Sequence, residues 1–516
     1  MEGLSPPNEE MGLLTSKLRH SGVLRGRPGS LAWFPPEAHP SAPSRIPVDP
    51  EPGLTYPWTP MTPDRPTPYR SIWRLTWPQF LMMVFQFFIG AADVYACGLI
   101  GREAQAAMGL VAQALFFFLT VAIAVANGSV AALSQSLGAG KTLRAARFGG
   151  LCLILGLLLS LLILAGGLAF KNLFLTLLNV PPPVLGPARG ILGLFLAILP
   201  INYLFLITNA VLRSHKLVMA PLAAMGLACL LNAWLDFGLG LGRFGLPDMG
   251  YMGVAWSTFW STAAGLALNL ALLARAGLLT RAMIPAWRWS RVAWRYVFRV
   301  AWPAGLMQIA WHTGYLVLLA IVGGLPAGPV VALAAFAGGS RVESAVFLPA
   351  FAFNLSASVL VGHALGEGDR AEARRMGYRV WGLGVVIMTL LSAGAWPFLD
   401  RISWIFTSDP AVAAETTSYL RYNLAAIPFT CTTMILAGAL TGAGATVYNL
   451  LVFGVSVWLV RLPVAWWLGW KTWGTAEGVW LSMLVSQIVQ AAALLGVYHF
   501  KDWARFSMIK PRNPSE

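Results

Sequence analysis

Charge is what this 516-residue chain has least of: Asp, Glu, Lys and Arg together make 11% of it, against roughly 25% in an ordinary soluble domain. So few ionic groups cannot cover a water-facing surface of this size, which excludes a soluble multi-domain protein. Acids are scarcest, 21 against 36 Lys and Arg, for a formal net charge of +15. Cysteine is nearly absent. Cys97, Cys152, Cys229 and Cys431 are scattered through apolar stretches, with no CxxC and no His cluster, so neither a disulfide framework nor a zinc site is indicated. HExxH, P-loop and paired-His signatures are missing too, which argues against a membrane enzyme.

Hydrophobic residues make 57% of the chain, gathered into apolar stretches of about 20 residues, the length of a membrane-crossing helix. A barrel would need segments of about ten alternating residues instead. The expected fold is therefore an all-α polytopic membrane protein with twelve spans. The first six lie near 73–97, 105–135, 148–171, 189–212, 218–241 and 250–274. The second six lie near 297–323, 330–363, 377–400, 418–441, 446–469 and 475–498. In a bilayer, the basic excess is explained by loops held on the cytoplasmic side, and nucleic acid is not expected as a partner. Arg and Lys collect at 141–147, 213–216, 275–299 and 370–379, which puts both termini in the cytoplasm.

Residues 1–70 read as a Pro-rich disordered cytoplasmic tail: 15 of the 34 prolines fall before residue 69, and such a segment cannot bury enough surface to order itself. It has no signal-peptide pattern, and Met61 is a candidate start. The remaining divisions are a lobe over 71–276, a basic cytoplasmic linker over 277–296, a second lobe over 297–500 and a cytoplasmic tail over 501–516.

The two lobes repeat one another. "RLTWPQFLM" at 74–82 matches "RVAWPAGLM" at 299–307, and "LGAGKTLRAARFG" at 137–149 matches "LGEGDRAEARRMG" at 365–377. "GVAWS" at 253–257 matches "GVWLS" at 478–482. Six spans per half make the repeats parallel, an arrangement found in transporters that rock two lobes around a midplane site.

A charged side chain at a span's centre costs about 2.5–3.5 kcal/mol, so each one needs a reason. Asp93 lies late in span 1, and Asp236 lies in span 5 with Asn232 one turn earlier on the same face. These residues suit a proton, or Na⁺ as the metal held by Asp93, Asn232 and Asp236; braces between helices are the structural alternative. The aligned positions of the second half are Val460 and Val464, which confines the acids to the first lobe. The second half carries Arg341, Glu343 and Arg461 instead, with Glu343 expected to pair with Arg461 or Arg341. Tyr203, Asn209, Asn127, Gln308 and His312 are further candidates for a substrate cavity, with Arg341 and Glu343.

"LNAWLDFGLGLGRFGLPDMGYMGVAWSTFWS" (231–261), "SRVESAVFLPAFAFNLSASVLVGHALGEGDRAEA" (340–373) and "ALTGAG" (439–444) resemble signatures of the multidrug and toxic compound extrusion (MATE) transporters, over about 70–500. The resemblance implies a V of two six-helix lobes, working as a monomer in a bacterial inner membrane. It also implies efflux of organic cations or drugs in exchange for H⁺ or Na⁺, with no other cofactor. The family's first-lobe cation site falls on Asp93, Asn232, Asp236 and Thr258. The NorM branch has a span 7 glutamate where this chain reads "QIAWHTG" (308–314), so the pattern is nearer the DinF-like branch. The alternative function is a flippase or exporter of lipid-linked or amphipathic metabolites, for which a cationic cavity would be expected. A channel is disfavoured because the acids form no symmetric ring.

Overall fold

A computed structural model describes residues 68–177 and 180–509. The expected tail over 1–70 lies outside the described residues except for 68–70, which open the first helix. Twelve helical segments are, by length and composition, long and apolar enough to cross a membrane.

The first half consists of α1 Pro68–Ile100, α2 Arg102–Gly138, α3 Thr142–Leu177, α4 Pro182–Ser214, α5 Met219–Leu241 and α6 Gly250–Arg275. The second begins with α7 Trp287–Gly323. Its next span is two helices, α8 Pro329–Val346 and α9 Leu348–Gly366, rather than one. Pro349 explains the break: it supplies no amide donor to the Ala345 carbonyl and its ring crowds that oxygen. Next come α10 Arg370–Ala395, a short turn, α11 Leu399–Phe406 and α12 Pro410–Ala443. Span 11 is α13 Thr446–Gly454, a π-helical segment Val455–Arg461, α14 Leu462–Trp466 and a second π segment Trp467–Thr472; α15 Ala476–Phe500 closes the set. Pro463 sits just past the first π segment, where it removes a helical donor and crowds the carbonyl four residues back.

Half of the expected 277–296 linker is helix, because α7 starts at Trp287. Trp289, Ala293, Val297 and Val300 are buried along one face, with Trp289 edge-on to Phe148 of α3, ring centroids 4.9 Å apart. Arg288, Arg291, Arg295 and Arg299 alternate with this stripe, so a count of basic residues reads as loop what is an amphipathic helix end.

Large apolar side chains point outward along the spans, Leu230 at 72% exposed, Leu162 at 69% and Leu459 at 70%. A soluble protein rarely shows so much contiguous apolar surface; a lipid-facing one must. Inside, α12 and α9 are the most enclosed spans.

The halves meet at the end that carries the basic loops. Thr76 and Gln79 of α1 each donate to Ser356 Oγ of α9, both at 2.9 Å. Gln135 of α2, wholly buried, donates to the Gly442 carbonyl at 2.8 Å and accepts from the Met508 amide at 2.9 Å. His363 Nε2 lies 2.8 Å from the Ser214 carbonyl. Glycine permits this approach: a Cβ on Gly138 would fall 2.1 Å from the His363 carbonyl oxygen, and one on Gly366 would fall 2.4 Å from that of Gln135. Segment 503–509 of the expected C-terminal tail is part of this seam, with Trp503 and Ala504 buried.

Gly138→Ala should loosen this seam by about 1–3 kcal/mol, the usual cost of overpacking. Faster maleimide labelling of a cysteine placed at the buried Ser134 would report it; an unchanged labelling rate would show that the seam absorbs the extra carbon.

Candidate functional site

The residues expected to bind the cation are brought together between α1, α5 and α6. Asn232 and Asp236 lie one turn apart on α5, and neither is exposed. Asn232 Nδ2 donates to Asp93 Oδ1 at 3.0 Å and reaches Ser257 Oγ at 3.4 Å. Ser257 donates to Asp236 Oδ1. Thr258 donates to the Asp93 carboxyl at 3.3 Å. The two acids are thus bridged by an amide and a hydroxyl. Asn232 Oδ1 and Asp236 Oδ2 are buried with no partner. Two unsatisfied oxygens of this kind carry a desolvation cost of about 1–3 kcal/mol each and leave acceptor capacity for a cation or proton. Asp93 is 8% exposed and Asp236 wholly enclosed, while Thr258 is half-buried.

Close packing makes the bridge possible. A Cβ on Gly253 of α6 would meet the Leu239 carbonyl oxygen at 2.1 Å, so α5 and α6 touch backbone to backbone, as helices in lipid do at small residues. Ser257, one turn on, is thereby set against Asp236. Sequence reasoning chose Thr258 and passed over Ser257, although "GVAWS" ends on it and its repeat partner "GVWLS" ends on Ser482.

The cavity candidates separate. His312 of α7 lies against α2, its ring centroid 3.8 Å from that of Phe116 and 6.0 Å from that of Phe117, so it faces the other half. Gln308 is half-buried one turn away, and Asn127 is half-buried on α2. Tyr203 is wholly buried, and its hydroxyl is spent on the Phe118 carbonyl, which makes it a brace between α4 and α2. Asn209 is also buried and accepts from Asn269 Nδ2 at 2.6 Å. Arg341 is exposed and lines a small recess with Thr407, Val412 and Thr416.

The expected ion pair of Glu343 with Arg461 or Arg341 is not formed: the ion pairs among the described residues include none of the three. Glu343 accepts from the Tyr419 hydroxyl instead, and Arg461 Nε donates to Ser486 Oγ at 2.8 Å. A phenol on α12 satisfies the carboxylate without bringing two full charges into contact, and spacing along the sequence gives no sign of it. Among the described residues no cluster of three His, Cys, Asp or Glu could hold a metal ion, so a cation here would rest on amide and hydroxyl oxygens beside the two acids.

The MatE family model matches residues 78–237 and again 303–467. The chain belongs to the MatE family. One match per half is what the internal repeat requires. A probable multidrug resistance protein NorM of Thermotoga maritima is 25% identical over 453 residues, 85% of this chain and 94% of its own. A probable multidrug resistance protein NorM of Bradyrhizobium diazoefficiens is 28% identical over 449 residues, 84% and 93%. A crystal structure of MATE in complex with MaL6 superposes with a TM-score of 0.78 at 19% identity, covering 85% of this chain and 97% of that one. This MatE protein therefore has the MATE fold, and it is a membrane transporter and not an enzyme.

Ser257→Ala removes the donor to Asp236 and should cost about 1–3 kcal/mol of stability, seen as a lower melting temperature in detergent. Thr258→Val, at a half-buried and longer contact, should cost less; the reverse order would show that Thr258 is the principal support.

Proposed function

We propose that this transporter exports organic cations or drug-like molecules in exchange for H⁺ or Na⁺, and that the coupling ion docks at Asp93, Asn232 and Asp236 with Ser257 and Thr258. One observation carries the reading: two acids from different helices share one buried, bridged site that still holds two unpartnered oxygens. The drug-like substrate class is suggested by the multidrug resistance relatives. The protein would act as a monomer in a bacterial inner membrane, with both termini cytoplasmic.

The cycle follows from the site's position. Arrival of the ion changes the charge on α1 and α5 and so the packing of both. Those helices also bear on the other half, α1 through Thr76 and Gln79. Occupancy can therefore bias the two arrangements of the lobes, provided the ion binds one of them better. The membrane potential contributes about 2.3 kcal/mol per net charge per 100 mV. The two halves touch at the basic-loop end and again where His312 of α7 meets Phe116 of α2. Gln308 and His312 stand in α7 where a NorM-like acid would be, and this supports coupling through the first half in the DinF-like manner.

Proteoliposomes with an imposed pH or Na⁺ gradient provide the test. Asp93→Asn and Asp236→Asn should each reduce gradient-driven efflux at least about tenfold, a loss of about 1.4 kcal/mol or more, while the purified variants stay monodisperse. Efflux retained by both would remove the site.

A further inference from the structure

The second half holds, at the level where the first half holds its acids, a buried cation. Counting 228 residues on from Ala233 leads to Arg461. Arg461 Nε donates to Ser486 Oγ at 2.8 Å, on the helix that repeats α6. The helix approach is repeated as well: a Cβ on Gly478 would lie 2.7 Å from the Leu468 carbonyl carbon, as one on Gly253 would meet Leu239. The scaffold of the cation site is thus present twice, with the sign of its charge reversed in the second copy.

Arg461 is only 3% exposed, yet its Nη2 has no partner. Its guanidinium lies over the ring of Trp311, 5.5 Å from the centroid. Gln490, one turn from Ser486 on the same face of α15, is wholly buried with both amide atoms unpartnered. Gln487 has a buried, unpartnered Oε1. Tyr315, Tyr419 and Glu343 are the ionisable groups around Arg461, and Glu343 is engaged by Tyr419. Trp311, Tyr315 and Glu343 are half-buried. The π-helical backbone ending at Arg461 is a distortion often found at functional sites.

Buried groups of this kind are ordinarily satisfied. A free guanidinium nitrogen, and a free amide donor one turn along α15 from its serine partner, are the equipment for a carboxylate, and aromatic side chains suit a flat ring. We propose that this cluster of buried, unpartnered groups in the second half is an anion-receiving substrate subsite, and that the transporter accepts amphoteric aromatic molecules whose carboxylate binds Arg461 and Gln490 while their positive end lies toward Glu343. The proposal rests on the transporter reading but not on which ion drives it.

Rhodamine 110 and its methyl ester rhodamine 123 differ only in whether the carboxylate is free. Their fluorescence anisotropy with the full chain in nanodiscs, without any ion gradient, tests the subsite directly. Wild type should bind rhodamine 110 at least as tightly as the ester. Arg461→Gln should weaken rhodamine 110 about tenfold and the ester less than twofold. Gln490→Ala should weaken rhodamine 110 about threefold, again sparing the ester. A wild type that prefers the ester overturns the proposal without any variant, as does an equal loss of both dyes in Arg461→Gln. Failure of gradient-driven efflux would instead defeat the antiport reading and leave these binding ratios as they stand.

Discussion

In hydrocarbon a polar group must find its partner inside the protein, because water is not there to supply one. That constraint organises this molecule. Its few intramembrane polar side chains occur where two or three helices come close enough to exchange hydrogen bonds, and the approach is made at glycines. Gly253 lets α6 touch α5, and Ser257 then reaches Asp236. Gly138 and Gly366 let α2 and α9 meet, and Gln135 then bridges the halves. Elsewhere the spans turn Leu, Phe and Trp outward and make no polar demand on their surroundings.

The two halves obey the same geometry with different chemistry. In the first, an amide and a hydroxyl join two acids into one enclosed site. In the second, the equivalent helix pair buries an arginine against a serine, and the nearby glutamate is held by a tyrosine. A duplicated scaffold can diverge in this way because the backbone contacts, made by glycine and other small residues, do not depend on which side chain stands one turn further along. One shared scaffold can therefore carry different buried chemistry in each half.

The state captured here is closed where the basic loops lie. Hydrogen bonds from α1, α2 and the C-terminal segment all cross at that end, and α7 meets α2 again at His312 and Phe116. The seam combines those bonds with apolar packing: Ile72, Leu75 and Val218 join the buried core of the second half, and Val359 packs with Ala126, Val130 and Ala210.

Much of this could be read without coordinates. Twelve apolar runs determined the helices, because the bilayer's thickness dictates their length. Matched peptides at a nearly constant offset revealed the two halves, and a carboxylate is so costly in lipid that Asp93 and Asp236 stood out, with Asn232 one turn from the latter. What the tertiary structure alone decided was partnership. Ser257 belongs to the site because of a close helix crossing, Glu343 is satisfied by Tyr419 rather than by an arginine, Tyr203 is a brace, and the start of α7 is helix although its arginines look like loop. Those outcomes depend on distances between segments far apart in the chain, and local composition or periodicity does not encode such distances.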